Sequence, residues 1–178
     1  MGLDRSTRGC VMKWTIMKRI IFAVIVPAGV LASLAAGIAL ATSGSGITSS
    51  NLSVGRFGKI DVKSETETHE VELRIKGASD VYVVSNVFVS GGHSGWHTHP
   101  GPSLITVKSG TITAYDGDDP DCTPHVYVAG TGFVDPGGDH VHILRNEGTV
   151  AAETIAVQLL PAGGTRRIDA PDPGNCPA

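Results

Sequence analysis

Apolar and polar side chains alternate with a period of two along most of the chain after residue 55. β-Branched residues are enriched in these runs, and Gly, Pro, Asp and Ser residues separate them, a pattern that is typical of short strands. The predicted strands are residues 69–75, 81–90, 104–108, 111–115, 125–128, 131–134, 141–145 and 151–160. Eight strands at such close spacing predict an all-β sandwich or barrel over residues 55–165.

The composition agrees with an all-β domain. The 178 residues include 23 Gly and 10 Pro and only 17% charged residues, and Gly and Pro are both unfavourable inside helices. The Lys108, Ser109, Gly110 step predicts a tight hairpin between two strands. The Asp-rich run at 116–121 predicts a solvated surface loop, because it lacks the spacing and the terminal Glu of a calcium-binding loop.

An uncharged apolar stretch runs from Ile20 to Ala41, with two basic residues directly before it. It predicts a signal peptide or a transmembrane anchor over residues 1–41. Ala39 and Ala41 form a small-x-small cleavage pattern, so cleavage is the preferred interpretation. The Ser/Gly-rich residues 42–54 predict a flexible tether. The folded domain is therefore expected to be secreted or otherwise extracytoplasmic, with membrane contact only through an uncleaved N-terminal segment.

The charge of the folded part argues against one class of partner. The whole chain has a formal net charge of −3, but beyond residue 41 there are 9 Lys and Arg against 16 Asp and Glu. A body that acidic lacks the basic surface that binds nucleic acid. We therefore expect no nucleic-acid partner.

Two cysteines lie in the part of the chain that is expected to remain after export. Cys122 and Cys176 both occupy Pro-rich and Asp-rich loops, whereas Cys10 precedes the apolar stretch. An oxidising compartment favours a disulfide between Cys122 and Cys176, which would hold the C-terminal tail, residues 166–178, against the barrel. A catalytic thiol is the alternative, and neither cysteine has a strongly activating sequence context.

Two His-x-His pairs are the strongest chemical signal in the sequence. His97 and His99 are separated by one residue on a predicted strand, so their side chains leave the same face. His140 and His142 repeat the arrangement. Either pair alone is compatible with an exposed polar strand. Two pairs in one small β domain predict three or four imidazoles that converge on one metal ion.

The first pair lies in a run that resembles the first motif of the cupin superfamily. Gly91, five residues, His97, Thr98, His99, three residues, Ser103, six residues and Gly110 match that motif in every spacing. The single departure is Ser103, which stands where the family usually has a glutamate ligand.

The second pair lies in a run that resembles the second cupin motif. Gly130 is followed after five residues by Pro136, Gly137 and Gly138, and His142 by Asn146 after three. One extra residue separates Gly138 from His142, and the step to Asn146 favours His142 over His140 as the ligand.

The resemblance implies a cupin jelly-roll β-barrel with a divalent metal held by His97, His99 and His142. His140 would be a fourth ligand or a base beside the site. Cupins include oxygenases, isomerases, storage proteins and binding modules. An enzyme of this kind would be metal-dependent and dioxygenase-like or isomerase-like. A non-catalytic protein that binds a small ligand, or a metal-free structural cupin, is the alternative, and a homodimer is an expected assembly.

Replacement of the glutamate by Ser103 has a chemical consequence. Three neutral imidazoles favour zinc, iron, nickel or copper over manganese or magnesium, which prefer oxygen ligands. Ser103 would hydrogen-bond a bound water, and Glu153 is a candidate to return a carboxylate to the site. Because imidazole must be neutral to bind metal, metal affinity is expected to decline below about pH 6.5.

The remaining candidates are residues near the expected barrel entrance. Trp96, Tyr115 and Phe133 either line this entrance or pack in the core, since aromatic residues are few in this chain. His93 is expected on the rim. His69 and His125 are expected on the surface.

Overall fold

The computed structural model describes residues 41–176. These residues form strands and connecting turns and contain no helix, which confirms the predicted all-β class. Membrane-crossing helices are accordingly not found within this range. Residues 1–40 of the predicted signal peptide or anchor lie outside the described residues. The strands are β1 (Ser45–Phe57), β2 (Ile60–Glu65), β3 (Glu70–Ile75), β4 (Ser79–His93), β5 (His97–Thr98), β6 (Ser103–Ser109), β7 (Thr111–Asp116), β8 (His125–Val128), β9 (Gly132–Asp135), β10 (His142–Arg145), β11 (Ala152–Pro161) and β12 (Ile168–Asp169).

Ten of the strands form a nearly closed antiparallel barrel. Its main strand order is β12-β5-β10-β4-β11-β6-β9, with β1 added on β4 and the pair β7-β8 added on β10. The contact between β10 and β4 is brief, a single register pair of Arg145 with His93. Strands β2 and β3 form a separate hairpin in which most side chains are exposed.

The eight predicted strands are all present, with ends that differ by a few residues. The predicted hairpin at Gly110 is wrong, because β6 pairs with β11 and β9 whereas β7 pairs with β10 and β8. The turn at Gly110 instead connects two consecutive strands, β6 and β7, that pair with different neighbours. Gly110 has φ 73°, and a Cβ there would lie 2.8 Å from the carbonyl oxygen of Ala151. The tight turn therefore requires glycine.

The predicted tether over residues 42–54 is wrong from Ser45 onward. Strand β1 begins there and runs antiparallel to β4, with Phe57 opposite Ser79 at its far end. Nearly all side chains of β1 are exposed, so the strand needs few apolar residues and its composition resembles that of a linker. The barrel therefore begins about ten residues before the predicted boundary at residue 55.

The buried apolar side chains of the described residues form three clusters, of which one packs beside the histidine strands. Phe88, Val107 and Ile112 are fully buried and pack with Leu144 and Ala152. Full burial of such side chains contributes roughly 1.5–3 kcal/mol each. This cluster joins β4, β6, β7, β10 and β11, and β10 carries His142.

The C-terminal tail is part of the fold. Strand β12 pairs with β5, which places Asp169 opposite His97. The predicted disulfide between Cys122 and Cys176 is present, with a Cα–Cα distance of 5.2 Å. Cys176 packs against Trp96. The bridge thus fixes the tail beside the strands that carry the histidines.

Candidate metal centre

The two His-x-His stretches meet inside the barrel. His97 on β5 and His142 on β10 are direct antiparallel partners in the register, so their side chains leave the same face side by side. Their ring centroids are 4.5 Å apart. The sequence predicts that the two histidines within each His-x-His pair share a face of their strand. The pairing of β5 with β10 then brings the two His-x-His stretches together.

His99 completes a cluster of three buried imidazoles. His97, His99 and His142 are 4%, 5% and 3% exposed, and one ring nitrogen from each lies within 4.8 Å of the others. Two nitrogens that bind one tetrahedral zinc ion at about 2.1 Å are about 3.4 Å apart. The three rings therefore need to shift by less than about an ångström to share an ion.

Backbone contacts orient two of the rings. The Nδ1 of His97 lies 2.9 Å from the carbonyl oxygen of Gly95. The Nδ1 of His99 lies 2.7 Å from the carbonyl oxygen of Arg166. Because a carbonyl only accepts, each Nδ1 carries the hydrogen and each Nε2 keeps its lone pair. This is the arrangement that metal-binding histidines usually adopt.

Asp135 was not predicted and is the carboxylate of the site. It is 2% exposed, and its Oδ1 lies 3.3 Å from the Nδ1 of His142 and 3.0 Å from the N–H of Gly137. Its Oδ2 lies 3.8 Å from the Nε2 of His99. The sequence contains a signal for it, since Asp135 has the same strand parity as Phe133, a candidate lining residue.

Two buried polar atoms at the centre have no hydrogen-bond partner among residues 41–176. They are the Nε2 of His142 and the Oδ2 of Asp135. A buried polar atom without a partner is costly. A cation would satisfy both atoms, and imidazole nitrogen and carboxylate oxygen are both donors that divalent transition metals accept. The residues present therefore fit a metal ion.

Ser103 lies between two polar side chains on neighbouring strands. In the register it pairs with Asp135 on β9 and with Gln158 on β11, and all three are buried. The Nε2 of Gln158 lies 3.3 Å from the Oγ of Ser103 and 3.4 Å from the Nε2 of His99. Ser103 itself has no carboxylate, and the adjacent strand β9 supplies one in Asp135.

Burial and charge set the protonation of the cluster. Burial first, and then the positive charges around it, lower the pKa of His97 from 6.5 to about 2. Burial also lowers the pKa of His99, against the carbonyl of Arg166, which raises it. For Asp135, burial acts to raise the pKa, but the hydrogen bond and charge of His142 and the N–H of Gly137 lower it to about 2. At neutral pH the site therefore offers neutral His97 and His99 imidazoles and an ionised Asp135 carboxylate.

The stability of the metal-free protein is expected to fall as the pH drops below 6.5. Unfolded His97 binds a proton near pH 6.5, whereas folded His97 does so only near pH 2. Between these values the unfolded state binds more protons, so the free energy of unfolding declines by up to about 1.4 kcal/mol per pH unit for each such histidine. Asp135 adds a loss in the same direction below pH 3.8.

Guanidinium unfolding in EDTA at pH 7 and pH 5 measures how the free energy of unfolding changes with pH. His97→Gln removes one titrating group and is expected to make this change smaller. A free energy of unfolding that is equal at both pH values in the wild type would contradict the expectation. Because the pKa values of His97 and His99 are lowered, these two imidazoles stay neutral at more acidic pH, and the decline of metal affinity below about pH 6.5 stays a prediction.

His140 lies next to the cluster of three histidines without joining it. Its Nδ1 is 3.3 Å from the Oδ1 of Asp135, and its Nε2 is 3.2 Å from the Oδ1 of Asp116. With Asp135 and His142 it forms a second group of metal-ligating atoms. Both of its nitrogens face carboxylates, so the structure places His140 beside Asp135 and not with His97 and His99.

Glu153 does not return a carboxylate to the site. It forms an ion pair at the surface with Lys108 and accepts a hydrogen bond from Ser85. Its parity on β11 is opposite to that of Thr154, Ala156 and Gln158, which face inward. The sequence alone does not show which face of β11 points into the barrel. In the structure Glu153 lies on the outward face.

The predicted entrance aromatics serve mainly as packing. Trp96 and Tyr115 lie in one buried cluster with Ile143, and the Oη of Tyr115 donates to Glu147. Phe133 stacks on Tyr127 and lines an outer pocket beside His140.

Three further histidines lie outside the cluster. His93 accepts a hydrogen bond from the N–H of Gly95. His69 and His125 are exposed, as expected.

The comparisons with known proteins concern the fold. No protein-family model matches the sequence, and no curated protein matches it. Among solved structures, the chain is similar to an uncharacterised Klebsiella pneumoniae protein with a double-stranded β-helix domain, at 22% identity and a TM-score of 0.44 over 64% of this chain and 84% of the other. It is also similar to a cupin domain from Bordetella pertussis, at 16% identity and a TM-score of 0.39 over 57% and 93%.

An oxalate oxidase is a third similar structure, at 24% identity and a TM-score of 0.43. The match covers 49% of this chain and 45% of the oxidase, so the chain spans less than half of that protein. These values carry no conclusion on activity. The nearly closed antiparallel barrel, with both histidine stretches meeting inside it, agrees with the jelly-roll barrel that the motif resemblance implies.

Proposed function

We propose that the protein binds one divalent transition metal through His97, His99 and His142 inside a cupin barrel. The observation that carries the proposal is the convergence of three buried imidazoles beside two buried polar atoms without partners. A metal-free structural role would leave the Nε2 of His142 and the Oδ2 of Asp135 unsatisfied at a cost in stability. Metal binding removes that cost.

Zinc, iron, nickel and copper are the metals that this donor set favours. Three imidazole nitrogens suit borderline ions better than magnesium or calcium. Asp135 offsets part of the dipositive charge, which three imidazoles alone would leave uncompensated. The ion would also order the three rings, since their Nε2 atoms keep lone pairs available for it.

We further propose that the barrel lies outside the cytoplasm. The uncharged N-terminal stretch supports export, and the bridge between Cys122 and Cys176 supports an oxidising compartment. Zinc and copper are stable in such a compartment, whereas iron(II) oxidises there. This favours zinc or copper as the bound ion.

A second candidate function is metal-dependent chemistry on a small molecule. The observation that favours it is a cavity of about 50 Å³ that all three histidines line. A bound ion with an open position on that side would act as a Lewis acid toward a ligand. If the protein is not an enzyme, the same cavity would bind the ligand without converting it.

The metal content of the purified protein tests the proposal. Protein without an affinity tag is expected to contain about one zinc, iron, nickel or copper ion per chain by elemental analysis. His97→Ala removes one of three ligands and is expected to lose most of this metal. His125→Ala is the matched control, since His125 is exposed and outside the cluster, and it should retain the wild-type content. Equal metal content in wild type and His97→Ala would refute the proposed site.

A further inference from the structure

The cavity beside the three histidines is also lined by two arginines. Arg166 and Arg167 follow strand β11 and are both partly buried. The cavity has a volume of about 50 Å³. A buried water needs at least roughly 10–15 Å³ of such volume, so the space suits a ligand of a few heavy atoms. Its other walls include Ser49, Asn86, Ile105, Leu144, Ala156 and Gln158.

Arg166 brings a positive charge that no carboxylate of residues 41–176 balances. Its Nη1 donates to the Oε1 of Gln158 at 3.0 Å, and no Asp or Glu of residues 41–176 forms an ion pair with it. Arg167 differs, because its Nε lies 2.5 Å from Asp169 and its Nη2 donates to the carbonyl of Ser94. A partly buried guanidinium without a counter-ion is unusual.

The polar arrangement fixes Arg166 at the cavity. Its backbone carbonyl holds the Nδ1 of His99 at 2.7 Å, and its side chain is tied to Gln158, whose amide also contacts His99. The guanidinium and the proposed metal site are therefore held by the same residues. A planar fork of N–H donors matches a carboxylate in shape as well as in charge.

We propose that this cavity binds a small carboxylate anion between the Arg166 guanidinium and the metal site. The inference rests on the proposed metal site for its second point of attachment. The anion supplies the counter-ion that Arg166 lacks among the described residues. The volume limits it to an acid of about two or three carbons.

Calorimetric titration with glycolate tests this inference, with glycolamide as a neutral ligand of the same shape. Zinc-loaded wild type is expected to bind glycolate at least tenfold more tightly than glycolamide. Arg166→Gln removes the charge and is expected to weaken glycolate binding at least tenfold, while zinc content persists because the backbone carbonyl remains. Arg166→Lys keeps the charge without the fork and should lose less.

Arg74→Gln is the matched control. Arg74 lies on the exposed β2-β3 hairpin in surface ion pairs, where its loss costs little, and glycolate affinity should not change. Equal affinity of wild type for glycolate and glycolamide, or no binding of either, would overturn the inference. Equal glycolate affinity in wild type and Arg166→Gln would overturn it as well.

The same titrations separate this inference from the proposed function. If zinc binds and glycolate does not, the metal site stands and the anion site is wrong. If zinc fails to bind but the metal-free protein still prefers glycolate, and Arg166→Gln removes that preference, the anion site stands and the metal site is wrong. If Arg166→Gln does not fold, as near-ultraviolet circular dichroism would detect, Arg166→Lys and the glycolamide comparison decide.

Discussion

A protein that carries Asp135→Asn is expected to bind zinc between about tenfold and a hundredfold more weakly than wild type, with its fold intact. Asparagine keeps an oxygen that accepts from the N–H of Gly137 and from the Nδ1 of His142. It replaces the second oxygen, Oδ2, by an NH2 group, and so removes the negative charge that lies 3.8 Å from the Nε2 of His99. Loss of a carboxylate that supports a metal-bound histidine typically has an effect of this size.

Competition with a fluorescent zinc chelator measures the affinity, and thermal unfolding in EDTA checks the fold. Asp116→Asn is the control, because the Asp116 carboxylate is partly exposed and contacts His140, which lies outside the cluster of three histidines. It makes the same chemical change and should alter zinc affinity less than about threefold. Equal zinc affinity in wild type and Asp135→Asn would mean that the carboxylate plays no part in metal binding.

Sequence reasoning identified the three histidines because parity is a local property. Residues separated by one position on a strand share a face whatever the strand pairs with. On the predicted strands His97 and His99 are therefore expected to point together, and so are His140 and His142, although in the structure β5 ends at Thr98 and β10 begins at His142. The motif spacing then chose His142 over His140 as the ligand, and the structure puts His142 beside His97.

The carboxylate was missed because it depends on register between distant strands. Asp135 lies 32 positions after Ser103 in the sequence, yet the two are opposite each other on β6 and β9. Nothing in either segment alone fixes that register. Gln158 was missed for the same reason, since it reaches Ser103 from β11. The expected carboxylate from Glu153 was wrong because one step along β11 reverses the face.

The position of Asp135 changes the chemical interpretation of Ser103. A small side chain at the motif position leaves room for the longer side chains of its two cross-strand neighbours. The negative charge that the usual glutamate would supply then comes from β9. From the motif alone the site looked like three imidazoles without a counter-charge, whereas the folded barrel places a carboxylate with a pKa of about 2 beside them.

Strand β1 was mistaken for a linker for a different physical reason. Its side chains are mostly exposed, so it carries no alternation that could be distinguished from a solvated tether. Its stability comes from backbone pairing with β4 over most of its length. Hydrophobic periodicity predicts strands only where one face is buried.

Replacing both Cys122 and Cys176 by serine is expected to lower the free energy of unfolding of the metal-free protein by about 4 kcal/mol. The bridge closes a loop with a sequence separation of 54, and the loss of chain entropy in the unfolded state predicts an effect of that size. Cys176 also packs against Trp96 and Tyr115, so its replacement removes some buried contact as well.

Guanidinium unfolding in EDTA measures the loss without the contribution of bound metal. Dithiothreitol should lower the stability of wild type to nearly that of the double variant and should leave the variant unchanged, which separates the bridge from any effect of the serines themselves. A loss below about 1 kcal/mol would show that the tail is held by its other contacts. Among these, the side-chain amide of Asn175 donates to the carbonyl oxygens of Asp116 and Asp119. Those bonds would then account for the attachment of the tail beside β7, because they connect the same two segments as the disulfide.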